Sequence, residues 1–262
     1  MKFTKMHGIG NDYLYVFGEV PENICELSQK LSDRHFGAGS DGMIYISKSE
    51  AADFKMRIFN ADGSEANMCG NGIRCVGKYV YEKGYTDKTT LKIETLSGLK
   101  TLYLKLKGEK VESVSVAMGK ALIGDDKAFQ FGTKTYILHQ IDMGNPHAVI
   151  FTENAEAEDI VSVGTALQSL FSGGINVEFV EVLGNNKLRM RVWERGSGIT
   201  LACGTGACAS AATAVKEKIC EPLKAIKVIL DGGTLEIVVG NNNEIEMTGS
   251  ATFVYEGDTK IW

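Results

Sequence analysis

One cysteine-containing stretch occurs twice, half a chain apart. The first copy reads MRIFNADGSEANMCGNG from Met56 to Gly72, and the second reads MRVWERGSGITLACGTG from Met190 to Gly206. Met56 and Met190 are 134 residues apart, and so are Cys69 and Cys203. In both copies Met-Arg precedes a β-branched residue and an aromatic (Ile58-Phe59, Val192-Trp193), and Cys-Gly-x-Gly begins thirteen residues after the Met. The same offset relates Gly10-Asn11 to Gly144-Asn145, Gly39 to Gly173 and Gly42 to Asn176. In a chain with 30 glycines one such match is unremarkable by itself, but one offset shared by four segments is not an accident. A period this long means two homologous domains and not a solenoid. It sets one thiol at the same place in each half, face to face across a pseudo-twofold axis, an arrangement suited to handling a proton on both faces of one carbon.

The 262 residues allow two domains of about 130 each, the usual domain size. Alternating and β-branched runs predict strands at Phe54–Phe59, Leu91–Thr95, Val111–Ala117, Tyr136–Ile141, Val177–Val182, Leu188–Trp193, Ile226–Leu230, Leu235–Val239 and Glu244–Thr248. Helical spacing is found over Ile24–Arg34, from just after Cys69 to Tyr81, over Glu156–Leu170, and from just after Cys203 to Val215. The expected class is α+β: two pseudo-symmetric, mostly antiparallel β domains, each with a principal helix, and an active site in the cleft between them. The boundary is expected in the Gly- and Asp-containing stretch Gly119–Gly132. That gives domains of residues 1–120 and 121–251, with residues 252–262 crossing back to complete the first.

Net charge is −5 with both signs mixed and no basic run, which argues against nucleic acid as a partner. The N-terminal MKFTKMHGIGND has no apolar core of the signal-peptide kind, and no apolar run of about 18 residues exists. A cytoplasmic location without membrane attachment is expected, and a homodimer is left open. The six cysteines, Cys25, Cys69, Cys75, Cys203, Cys208 and Cys220, then read as free thiols. The spacings Cys69-x5-Cys75 and Cys203-x4-Cys208 miss the short spacing of zinc ligands, so no metal is expected. Gly204-x-Gly206-x-x-Ala209 approaches a dinucleotide fingerprint, but that motif needs a βαβ unit in a parallel sheet.

Each repeated cysteine falls between a strand and a helix. A helix N-terminus favours negative charge, which predicts a lowered thiol pKa, and its free N–H groups suit a carboxylate. Cys75, Cys208, Cys25 and Cys220 read as packing residues. Asn60, Asn145, Asn176, His147, Glu194 and Arg195 lie at strand ends or turns of the repeated segments. Asn60 and Glu194 are equivalent, each nine residues before its cysteine. Arg195 with three amides suits a carboxylate held by a bidentate fork.

With these residues in view the chain resembles the diaminopimelate epimerase family over essentially its whole length. The resemblance rests on MHGIGNDY, FNADGSEANMCGNGIRC, MGNPH, INVEFV, WERGSG and ACGTGACA, in that order and spacing. It implies cofactor-independent epimerisation of LL-diaminopimelate to the meso form, in lysine and peptidoglycan precursor synthesis, with Cys69 and Cys203 as the acid–base pair. It places Gly70, Asn71, Gly204 and Thr205 around the α-carboxylate at the reacting centre. Asn60, Asn145, Asn176 and Arg195 would hold the distal L-centre, and Asn11, His147 and Glu194 would line the reacting side. The chain has Ile199-Thr200 where the family usually has Glu-Thr, and Ile73 where it has Ala. The alternatives are a related cofactor-independent racemase of another amino acid and a two-domain amino-acid-binding protein. A hydrolase using Cys203 with His147 leaves Cys69 unexplained, and a pyridoxal-phosphate racemase lacks a recognisable lysine site.

Overall fold

The computed structural model describes residues 1–260. The chain forms two compact units, Met1–Val116 completed by the segment from Gly249 onward, and Ala117–Thr248. The first holds β1 (Lys2–Gly8), β2 (Asn11–Phe17), α1 (Ile24–Ser32), β3 (Gly42–Ser47), β4 (Phe54–Asn60), β5 (Glu65–Ala66), α2 (Gly70–Glu82), β6 (Thr90–Thr95), β7 (Gly98–Lys107) and β8 (Lys110–Lys120). The second holds β9 (Leu122–Phe131), β10 (Lys134–Asp142), β11 (Pro146–Thr152), α3 (Ile160–Gln168), β12 (Asn176–Gly184), β13 (Lys187–Glu194), β14 (Gly198–Ile199), α4 (Gly204–Lys216), β15 (Ile226–Leu230), β16 (Gly233–Val239) and β17 (Glu244–Gly249). The last strand, β18 (Thr252–Asp258), pairs antiparallel with β1. Residues 261–262 of the segment expected to complete the first domain lie outside the described residues.

The two units repeat one topology strand for strand. In the first, neighbouring strands run β18-β1-β2-β3-β4-β6-β7-β8. In the second they run β9-β10-β11-β12-β13-β15-β16-β17. All pairs are antiparallel except β2 with β3 and β4 with β6, and their counterparts β11 with β12 and β13 with β15. A parallel neighbour requires a crossover. The helices α1 and α2, and then α3 and α4, lie in those crossovers.

The two helices of a unit do different jobs. In the second unit α3 covers one face of the sheet, joining Ile160, Val163 and Leu167 to Tyr136, Leu138, Ile150, Val177 and Phe179. In the first, Ile24, Leu27 and Leu31 of α1 do the same against Leu14, Met43, Tyr45 and Phe59. The opposite face wraps around the second helix. Strands β10, β11, β12, β13, β15 and β16 all touch α4, and β1, β2 and β7 touch α2. Consequently α4 is buried on every side from Gly206 to Ala214, which its run of Ala, Ser, Cys and Thr permits sterically. Strand β12 is covered on both faces, so Asn176 through Val180 are all buried and its sequence shows no alternation.

Some boundaries differ from the sequence expectation. The stretch Gly119–Gly132 is not an irregular connection: most of it is β9, paired with β10. Its residues are almost all exposed, so no apolar pattern marks it as a strand. The third helix starts at Ile160 and not at Glu156, because Asp159 caps it by accepting the Ser162 N–H at 3.1 Å. Among the described residues no helix is long and apolar enough to cross a membrane.

Leu167 is fully buried on α3 whereas Val161 is half exposed on the same helix. Leu167→Ala is expected to lower unfolding stability by about 2–5 kcal/mol, and Val161→Ala to change it by less than about 0.5 kcal/mol. Denaturant titration of the two variants against the parent checks this.

Candidate active site

Each unit presents one thiol at the start of its enclosed helix. Cys69 is the N-cap residue of α2, with extended backbone (φ −137°, ψ 114°), and its sulfur accepts the Gly72 N–H at 3.3 Å. Cys203 caps α4 in the same way (φ −118°, ψ 107°), accepting the Gly206 N–H at 3.3 Å. A thiol thus takes the part that Ser, Thr or Asp plays at an ordinary N-cap. Two tight turns bring an asparagine beside each helix start. Gly10 (φ 90°) and Gly144 (φ 93°) adopt the left-handed conformation that glycine tolerates, directly before Asn11 and Asn145.

Around Cys69 the polar groups are fixed by an ion-pair network. Asp41 accepts from the Asn11 Nδ2 at 2.7 Å, which turns Asn11 Oδ1 toward the thiol, 3.2 Å from Sγ. Arg34 bridges Asp41 and Asp12, at 2.9 and 2.8 Å, and Lys5 lies 2.8 Å from Asp12. Burial pushes the Asp12 carboxyl up, but the Arg34 and Lys5 hydrogen bonds outweigh it and hold Asp12 below the usual range. The fully buried Arg74 donates from Nη1 to the Gly70 carbonyl at 3.1 Å, pinning the first turn of α2. Of the other expected residues in this unit, Gly70 and Asn71 lie buried in that first turn. Asn60 ends β4 and bonds Ser64 at 3.0 Å.

Around Cys203 the neighbours are acidic. Glu194, at the end of β13, accepts from the Thr200 hydroxyl and lies against the Cys203 sulfur. His147 on β11 is fully buried, with Nδ1 2.7 Å from Glu178 Oε1 and Nε2 3.2 Å from Asn145 Oδ1. Asn145 Nδ2 lies 3.4 Å from Thr205 Oγ1, and that oxygen lies 3.6 Å from the Cys203 sulfur. Gly204 is buried in the first turn of α4. Asn176 and Arg195 form a separate group: Asn176 Oδ1 accepts the Arg195 N–H at 2.9 Å, and Arg195 Nη1 donates to the Gly173 carbonyl at 2.8 Å.

Both thiols are held above their ordinary pKa, opposite to what the helix N-terminus alone predicts. Burial pushes Cys69 up, and the Gly72 and Asn71 N–H groups and the Tyr13 hydroxyl oppose it only in part. Burial pushes Cys203 higher still, reinforced by the Glu194 and Glu178 carboxylates and opposed by Thr205 and the Gly206 N–H. Cys75 and Cys208 are buried inside the helices as packing residues, burial pushing Cys75 up to about 11. Cys220 is buried as well, but Cys25 is exposed, contrary to the packing role expected for it. All six cysteines are free thiols. The sequence reading missed the Asp41–Arg34–Asp12–Lys5 network beside Asn11 and, on the other side, the buried Glu178. The only signal of Glu178 was one carboxylate within the apolar run INVEFV.

Comparison with known proteins gives the family. A family model described as diaminopimelate epimerase matches residues 3–123 and 139–254. A diaminopimelate epimerase of Parabacteroides distasonis is 49% identical, covering 100% of this chain and 98% of its own. That of Acetivibrio thermocellus is 46% identical, with 100% and 99% covered. Among solved structures, a phenazine biosynthesis protein of the PhzF family from Bacillus anthracis superposes with a TM-score of 0.78 at 16% identity, covering 100% and 99%. A probable proline racemase from Agrobacterium radiobacter gives 0.76 at 17%, covering 99% and 93%. At such identities these structures show the shared fold.

Raised thiol pKa values shift the reactive thiolate to higher pH. At about pH 8, iodoacetamide is expected to label exposed Cys25 first, Cys69 more slowly and Cys203 slowest of the three, leaving Cys75 and Cys208 unlabelled. Raising the pH accelerates Cys69 before Cys203. Peptide mapping by mass spectrometry over a time course measures the order.

Proposed function

Because the chain belongs to the diaminopimelate epimerase family, we propose that it interconverts LL- and meso-diaminopimelate without a cofactor, with Cys69 and Cys203 as the acid–base pair. The enzyme is an isomerase of lysine and peptidoglycan precursor synthesis. The observation that carries the mechanism is the duplication: the same N-capping thiol, in the same topology, at the start of both enclosed helices.

In this mechanism one sulfur, as thiolate, removes the α-proton, leaving the C–H electron pair on carbon. The other sulfur, as thiol, delivers its proton to the opposite face of that carbon. Each turnover exchanges the roles of the two sulfurs, so the pair titrates as one coupled unit. The α-proton is a weak acid, and a thiolate held above its ordinary pKa is the stronger base toward it. Negative charge building up on the substrate is met by the N–H groups of the first helical turns. Gly70, Asn71, Gly204 and Thr205 present these groups to the α-carboxylate. Asn11, His147 and Glu194 line the reacting side. Asn60, Asn145, Asn176 and Arg195 hold the distal amino-acid centre, with Arg195 on its carboxylate.

Incubating the pure protein with LL-diaminopimelate in D2O, with nothing added, is expected to give α-deuterium together with the meso form. Absence of exchange overturns the assignment and favours a binding protein. Cys69→Ser or Cys203→Ser is expected to reduce turnover by roughly 10²–10⁴-fold with the fold intact, whereas Cys75→Ser retains most activity. Arg195→Lys is expected to raise KM for diaminopimelate far more than it lowers kcat, because an ammonium cannot reproduce the guanidinium fork. Steady-state kinetics separates the two effects.

A further inference from the structure

The two repeats differ at one buried place beside the reacting helices. In the first unit Ile44 Cδ1 packs against Gly72, 2.7 Å from where a side chain there would begin. The residue 134 positions later is Glu178, and its Oε1 occupies the same place against Gly206, 2.5 Å from the corresponding point. A hydrocarbon fills the slot in one repeat, so packing does not require a carboxylate in the other. Glu178 is fully exposed to none of the solvent, and its Oε2 has no hydrogen-bond partner among the described residues. Burying such a group is costly, which points to a use.

The hydrogen bonds from Glu178 run without a break to the thiol. Glu178 Oε1 and Asn145 Oδ1 flank the two ring nitrogens of His147 at 2.7 and 3.2 Å. Both face the ring as acceptors, an arrangement in which each ring nitrogen is matched by a donated proton. Asn145, with its oxygen committed to His147, directs its NH2 to Thr205 Oγ1. That hydroxyl oxygen accepts from Asn145, which leaves its own proton for the Cys203 sulfur 3.6 Å away. Without the carboxylate the ring keeps one proton, on Nδ1, and Nε2 becomes an acceptor. Asn145 then turns over, and the Thr205 proton points at Asn145 instead of at sulfur. The corresponding positions in the first unit are Tyr13 and Ile44: there the phenol Tyr13 bonds Asn11 and the sulfur, Asn11 meets the sulfur directly, and no carboxylate stands behind them.

We propose that Glu178 is a positioning residue: by holding His147 doubly protonated it sets the direction of the Glu178–His147–Asn145–Thr205–Cys203 chain and aims a hydroxyl proton at the Cys203 sulfur. The proposal rests on the epimerase reading for its catalytic consequence, but not for its geometry. Glu194 on β13 is the other titratable group against this sulfur, and it is left unchanged in every variant.

The test begins on the parent protein. Nitrogen-15 NMR of the His147 ring near pH 7.5 is expected to show both nitrogens protonated; one bare ring nitrogen overturns the proposal. In Glu178→Gln the ring is expected to be neutral and alkylation of Cys203 slower by roughly fivefold to tenfold, the equivalent of one neutral hydrogen bond. Unchanged or faster alkylation overturns it, because removal of a nearby negative charge by itself makes the thiolate easier to form. Thr205→Val is expected to slow Cys203 alkylation equally while leaving the imidazolium signal in place. If Glu178→Gln does not fold, Thr205→Val and the parent spectrum decide alone, and parent-like alkylation of Thr205→Val counts against the chain. With LL-diaminopimelate, Glu178→Gln is expected to lower kcat roughly tenfold with little change in KM. The NMR and alkylation results hold or fail without substrate, so failure of the epimerase reading is told apart from failure of this one.

Discussion

Everything about the site follows from a helix being enclosed by a sheet with a sulfur at its N-cap. Enclosure demands small side chains along α4 and places the first turn of each helix out of water. There the N–H groups of the first turn act more strongly on negative charge than they would in water, because little solvent competes for them. The same burial destabilises the thiolate that those N–H groups stabilise, and burial is the larger effect at both cysteines. Both thiols are therefore held above their ordinary pKa and are not acidified by the helix N-termini. In the proposed mechanism that balance suits abstraction of a weakly acidic α-proton.

The duplication is strict in backbone and loose in chemistry. Strand order, the two parallel pairings and the N-cap geometry recur in both units. The surroundings of the sulfurs do not. Cys69 is met by Asn11, oriented through Asp41 and the Arg34–Lys5–Asp12 network. Cys203 is met by Glu194 and by the buried His147–Glu178 pair. In the proposed mechanism the two sulfurs need equivalent positions but not equivalent surroundings. Different residues at equivalent positions of the two repeats meet that need without disturbing the fold.

Much of this was legible in the chain. The strand–cysteine–helix repeat identified both helix starts to within a residue, and β4, β6, β12, β13, β15, β16 and β17 followed from alternation or β-branched runs. Strand β9 was not legible because an exposed strand has no apolar face to betray it. Glu178 was not legible because a lone carboxylate in an apolar strand reads as its solvent side, whereas β12 has no solvent side. The exposure of Cys25 is not legible in the sequence either, a thiol being an ordinary core residue in most settings.

The sequence by itself determined the duplicated α+β architecture, the two thiols at helix N-termini and the family. Those are properties of local pattern and of order along the chain. Only the tertiary structure decided the electrostatics of the thiols and the partners of each polar group. Desolvation depends on what covers a residue from every side. The chain from Glu178 to Cys203 joins β11, β12 and α4, whose nearness is created by folding alone.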